Sequence, residues 1–225
     1  MRSALLLACS LAWATSAQAA MLDPALVDPS RLLPPPPAAD SVDTKAEFQE
    51  LRDIASRSTP DMLATATRDA KNETPTLFND TVGFDIASKP KTFKLLSLVA
   101  KEEDTDSKRA KAYFHRDRPY AVEPALKTCT PIKPGKAANS YPSGHATLAF
   151  SMGIVLASLI PAKSQAILAR ATEYSENRLV CGVHYRSDIV AGQQFGTILA
   201  LRLMQNPKFQ VQMKAARAEL RAALL

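Results

Sequence analysis

Residues 144–161 read GHATLAFSMGIVLASLIP, and the fold turns on that stretch. It opens on Gly144-His145, runs apolar from Ala146 with only Thr147, Ser151 and Ser158 interrupting, and stops at Pro161. Nothing in it alternates as a half-buried strand does. It is also too short to cross a bilayer, which takes roughly 20 apolar residues. It reads as a core helix.

Working outward, the period stays helical. After Pro161 the pattern predicts helices over 161–178, 187–205 and 207–222. Ahead of it, Phe48, Leu51 and Ile54 recur at three-residue steps and predict a helix over 44–57. Pro60, a good first-turn residue, opens another to about Lys71, and a shorter one covers 75–82. Between Lys91 and Arg116 the pattern predicts two helices, the first with Leu95, Leu96, Leu98 and Val99 on its apolar face. The charged run 102–109 is taken as the turn between them. Residues 119–141 hold four prolines and Gly135 and read as a loop. Only 7 glycines serve the whole chain, too few for the turns of a sandwich or barrel. The expected fold class is all-α, a single-domain helical bundle over residues 44–225.

Two segments precede that bundle. Residues 1–19 have the three parts of a secretory signal peptide: a basic start at Arg2, an apolar run over 4–14, and the small-x-small site Ala17-Gln18-Ala19. A lipoprotein signal ending at Cys9 would leave a very short apolar stretch. Residues 20–43 are expected to be an extended proline-rich arm, because Pro34, Pro35, Pro36 and Pro37 enforce a polyproline II path. The expected location is therefore periplasmic or secreted, with no stable membrane insertion. Once Cys9 leaves with the signal, Cys129 and Cys181 remain, and two cysteines in an exported chain most simply form one disulfide.

The formal charge is +6, with no block of like charges and only 6% aromatic residues. A nucleic-acid groove with stacking aromatics is not indicated. A modest positive balance suits small anionic substrates. Val211, Met213 and Leu220 on the last helix could serve a homo-oligomer face or the core. No metal or other cofactor is expected, since three histidines and no paired cysteine spacing make no zinc set.

Three short clusters stand out from a bland bundle. The first holds Lys111, His115, Arg116 and Arg118; on one continuous helix Lys111 and Arg118 would lie two turns apart on the same side, although Arg118 directly precedes Pro119, which disfavours helix at that point. Arginine grips two phosphate oxygens with a planar fork, and lysine adds a point charge. His115 reads as a surface residue, and Asp117, between two arginines, as an ion-pair partner. The second cluster is Ser140-Tyr141-Pro142-Ser143-Gly144-His145. Here Ser143 can cap the helix that follows, Gly144 allows close approach of a ligand, and the free N–H groups make an anion site. The third is Arg178 with His184, Tyr185, Arg186 and Asp188. His184 and Asp188 are four apart, so in helical geometry the carboxylate lies one turn from the imidazole, able to fix its tautomer and leave Nε2 free to attack. Tyr120 and Tyr141 could line a substrate mouth or simply pack.

Taken together, Lys111 with Arg118-Pro119, then Pro142-Ser143-Gly144-His145, then Arg178 with His184 and Asp188 resemble the three-part signature of the type 2 phosphatidic acid phosphatase superfamily. The spacings fit: six residues between Lys111 and Arg118, five between Arg178 and His184, three between His184 and Asp188. The chain is similar in particular to the bacterial class A non-specific acid phosphatases, which are secreted, carry a Leu-Leu-Pro-Pro-Pro-Pro segment like residues 32–37, and show a Cys-Gly-x like Cys181-Gly182-Val183. It departs from them at Asn177, where the family usually has serine. A hydrogen bond from Asn177 to phosphate would make this a change of affinity.

The resemblance implies roles. Lys111, Arg118 and Arg178 would hold the phosphate oxygens, with Ser143 and the Gly144 N–H adding hydrogen bonds. His184 would attack phosphorus, Asp188 would orient it, and His145 would protonate the leaving alcohol and then activate water. The implied substrates are small-molecule phosphate monoesters, hydrolysed without a metal. Because His145 must be protonated and His184 neutral, a bell-shaped profile with an acidic optimum is expected. A lipid- or isoprenyl-phosphate phosphatase, a vanadate-dependent haloperoxidase and a non-catalytic anion-binding protein are the rival readings.

Overall fold

The computed structural model describes residues 21–224 apart from 133, 134 and 136, and no strand occurs among them. The leader read in residues 1–19 lies outside the described residues. Numbering the helices of ten residues or more, α1 is Val42–Arg57, α2 Pro60–Asp69, α3 Pro90–Phe114, α4 Gly144–Leu159, α5 Ser164–Val180, α6 Arg186–Gln205 and α7 Pro207–Leu224. Helix α4 is the axis. It packs most extensively on α6, then on α5 and α3, while α7 closes against α3. Its residues Leu148, Met152, Val155 and Leu156 meet Leu95, Leu96 and Val99 of α3, Ile167 and Ala171 of α5, and Phe195 and Leu199 of α6 in one core.

Close approach of α4 and α6 depends on two glycines. A Cβ on Gly192 would stand 2.6 Å from the Ser143 carbonyl oxygen and 2.8 Å from Ala146 Cβ, and one on Gly196 would strike the Thr147 carbonyl. The start of α4 is therefore pressed onto the first turns of α6.

Three expectations are corrected. Residues 90–114 form one helix of 25 residues rather than two. The charged run is no turn: Lys108 pairs with Asp104 at i,i+4 and Arg109 with Asp106 at i,i+3, which supports a helix. Arg118 is not on that helix either. His115 ends it in the left-handed region at φ 49, and Arg118 is extended.

The third correction concerns the arm, which is not extended throughout. Pro24–Val27 and Pro29–Leu32 form single helical turns, capped by the side chains of Asp23 and Asp28. The arm is tied down by Glu102, which accepts from Met21 N at 2.8 Å, by Arg109 donating to the Val27 carbonyl at 2.9 Å, and by Tyr141 Oη donating to that of Pro34 at 2.6 Å. Tyr141 is thus a packing residue. On α7, Leu220 is buried and Met213 packs on the core, while Val211 is exposed.

Candidate active site

The N-terminus of α4 faces a pocket of about 390 Å³ walled by α3, the segment after α2, the loop after Arg118 and the residues before α6. Ser143 is the N-cap; its Oγ accepts from Ala146 N, and its own N–H donates to the Asp188 carbonyl at 2.9 Å. That bond locks the cap of α4 to the first turn of α6. Lys111 Nζ donates to the Pro142 carbonyl from the other side. The first turn of α4 is thereby held in a fixed frame, as an anion site requires.

Asp188 lies behind the pocket, fully buried, with four donors around it. Its Oδ2 faces His184 Nδ1 at 3.1 Å and accepts from Tyr185 N at 2.9 Å and Ser140 Oγ at 2.5 Å, while Oδ1 accepts from Arg116 at 2.7 Å. With Nδ1–H donated to Asp188, Nε2 of His184 points to the pocket side, where Arg118 stands 3.2 Å away. Arg116 also donates to Glu47 of α1 at 2.7 Å and stacks over the Tyr185 ring at 3.9 Å.

His145, in the first turn of α4, lines the same pocket. Its ring stacks on Tyr174 with centroids 5.6 Å apart, and Nε2 lies 3.4 Å from the Ala70 carbonyl and 3.2 Å from Glu73 Oε1. Burial lowers the pKa of both imidazoles well below the usual histidine value. The surrounding cations add to this, Arg178 most for His145 and Arg118 most for His184. Arg178 is itself pushed down to about 10, first by burial and then by Arg118. The Nε atoms of Arg118 and Arg178 are buried without a hydrogen-bond partner. Cationic groups crowded together, with buried donors unsatisfied, are in their best state when an anion sits among them.

Comparison with known proteins gives the family. The description "PAP2 superfamily" matches residues 95–211, just over half the chain. The chain is 32% identical to an acid phosphatase of Zymomonas mobilis, over 87% of this chain and 76% of that one. It is 29% identical to a non-specific acid phosphatase of Providencia stuartii, over 86% and 81%. The chain belongs to the PAP2 superfamily. Within the PAP2 superfamily it groups with the class A non-specific acid phosphatases. The helical fold is shared with a transmembrane PAP2-type phosphatidylglycerolphosphate phosphatase from Bacillus subtilis, with a TM-score of 0.54 at 16% identity, covering 72% of this chain and 85% of that one. Among the described residues of this PAP2 chain, no helix is long and apolar enough to cross a membrane.

Lys111, Arg118, Gly144, His145, Arg178 and His184 all line the pocket, with Ser143 and Asp188 directly behind it. The His184–Asp188 contact forms, but not along a helix: His184 precedes α6, and Asp188 reaches back from its first turn like the acidic half of a capping box. Cys129 and Cys181 are bonded, and the bridge lies between the loop after Arg118 and the residues before His184. His115 is exposed and Tyr120 lines the pocket.

Two smaller expectations are overturned. Asn177 does not face the phosphate site; its Nδ2 donates to Asp69 at 2.7 Å, and Asp69 is gripped by Arg170. Neither neighbour of Asp117 pairs with it, since Arg116 turns to Asp188 and Glu47 and Arg118 to carbonyls of Val183 and Asn139. Sequence reasoning missed Glu47, Glu73 and Glu103, and left Arg116 and Ser140 without a role. Single acids on amphipathic helices, such as Glu47 and Glu103, look like solvated residues, whereas Arg116 and Ser140 lay inside the first and second clusters and did carry a local signal.

Proposed function

We propose that the protein is an exported acid phosphatase that hydrolyses phosphate monoesters of broad specificity through a phosphohistidine intermediate, without a metal ion. Lys111, Arg118, Arg178, Ser143 and the Gly144 N–H hold the non-bridging oxygens. His184 Nε2 donates its electron pair to phosphorus in line with the ester oxygen; the P–O bond breaks, and His145 delivers its proton to the departing alkoxide. Water then attacks the phosphohistidine as His145 takes back a proton, and inorganic phosphate leaves. Three cations neutralise the charge that develops on the equatorial oxygens.

The observation that carries this reading is the pairing of His184 Nδ1 with the buried Asp188, which leaves Nε2 unprotonated beside Arg118. When phosphate enters, the arginine turns from Nε2 to the phosphate oxygens and releases the nucleophile. The test is turnover of p-nitrophenyl phosphate in EDTA by the purified protein and by His184→Ala. Acid quench should trap an acid-labile phosphoenzyme in the wild type and none in the variant. Recovery of labelled phosphoenzyme from His184→Ala would place the nucleophile elsewhere, and loss of wild-type activity in EDTA would make the reaction metal-dependent.

A further inference from the structure

Glu103 has no part in the chemistry above, yet it lines the same pocket. It precedes Lys111 by two turns on α3, with Ser107 midway, so the three share one face of the helix. Only 5% of Glu103 is exposed, and its Oε1 accepts from Ser107 Oγ. A Cβ placed on Gly144 would sit 3.8 Å from that same Oε1, and 3.8 and 3.9 Å from Cε and Nζ of Lys111. Carboxyl and ammonium therefore flank one point beside the first residue of α4, where a phosphate oxygen is to be held. A carboxylate at this point would repel a phosphate dianion, whereas a neutral carboxylic acid would donate to it.

We propose that Glu103 is a phosphate-contacting residue. As the neutral acid its O–H donates to the phosphate oxygen beside Lys111, and as the carboxylate it expels phosphate from the pocket. The proposal rests on the phosphate-cage reading of the site and adds to it a residue that sets the upper pH limit of anion binding.

The groups facing Glu103 act in both directions. On its own helix, the Ser107 hydroxyl and Lys111 favour the carboxylate and Asp104 opposes it; from the segment after α2, Glu73 opposes it too. His145 and the Gly144 amide face the same space from α4, and Arg118, Arg178 and His184 from the remaining walls. Burial outweighs the favourable groups and pushes the carboxyl up to about 8. At acidic pH Glu103 is therefore a donor.

The experiment is equilibrium dialysis of inorganic phosphate against purified wild type, Glu103→Gln and Ser107→Ala between pH 6 and 9. Glutamine is neutral throughout and still donates. The ratio of wild-type to Glu103→Gln Kd cancels the ionisation of phosphate and of every shared group. With a carboxyl near 8, about one-tenth of the wild type is neutral at pH 9, so that ratio should rise about tenfold across the range. Ser107→Ala removes a hydroxyl that favours the carboxylate, so its loss of affinity should begin at higher pH than the wild type's. If Glu103→Gln does not fold, this second shift decides.

A ratio constant within about twofold, or a Ser107→Ala profile that overlays the wild type's, overturns the proposal. An Arg178→Ala control separates the two readings. Phosphate bound by the wild type, lost in Arg178→Ala and flat in the Glu103→Gln ratio removes only Glu103. No phosphate binding by the wild type at any pH removes the cage and Glu103 together.

Discussion

Arg116 stands 2.7 Å from Oδ1 of Asp188, so the carboxylate that faces His184 through one oxygen is gripped from behind through the other. The same guanidinium holds Glu47 of α1, and both of its acidic partners are nearly or fully buried. Removing it strands two carboxylates in the interior. Arg116→Ala should therefore cost about 3–5 kcal/mol of stability, read from the urea midpoint, and lower kcat as Asp188 loses its anchor. Arg116→Lys, which keeps the charge but not the fork, should recover part of each. Wild-type stability in Arg116→Ala would show that the network is not what holds Asp188.

That network also marks how far the sequence could be read. The helices around α4 were legible because apolar spacing is local, and the His184–Asp188 pair because both residues lie within one turn of chain. Ser140 and Arg116 reach Asp188 from 48 and 72 positions away along the chain, and Glu47 holds that arginine from 69. No local pattern encodes such pairings. The reading of α3 as two helices failed for the opposite reason. Its charged run looked like a turn by composition, whereas its glutamates, lysines and arginines are good helix formers and pair within the helix or tie down the arm.

His145 should divide the reaction by leaving group. In His145→Ala, phosphorylation by p-nitrophenyl phosphate should persist, since p-nitrophenolate leaves without a proton. Alkyl phosphates should slow by about 10²–10⁴-fold, the usual contribution of a general acid. Rapid-quench measurement of the phosphoenzyme on both substrate types checks this. Equal losses on both would take His145 out of the acid role.

The pH profiles should differ between free and bound enzyme. Burial and then Arg178 hold His145 well below its usual range in the empty pocket. A histidine so lowered keeps its proton only in acid, so the alkaline limb of kcat/KM should fall below pH 6.5. Bound phosphate neutralises the cations that depress it and adds negative charge, which raises its pKa. The alkaline limb of kcat should therefore lie at higher pH than that of kcat/KM. Coincident limbs would mean that substrate charge does not reach His145, contrary to the shared pocket.

Two glycine substitutions should act in opposite directions. A Cβ on Gly192 would meet the Ser143 carbonyl at 2.6 Å, a backbone atom that cannot swing aside, so α4 and α6 must part. Gly192→Ala should cost about 1–3 kcal/mol, as overpacking does, and raise KM because the cap of α4 moves with Ser143. A Cβ on Gly153, in the middle of α4, meets Ala171 and Phe78 at 3.4 Å, which is ordinary contact. There the better helix propensity of alanine, up to about 1 kcal/mol, should leave stability unchanged or raised, with KM untouched. Paired urea melts and KM measurements decide it. If both variants lose stability equally and neither shifts KM, the α4–α6 contact is not what sets the phosphate end of the pocket.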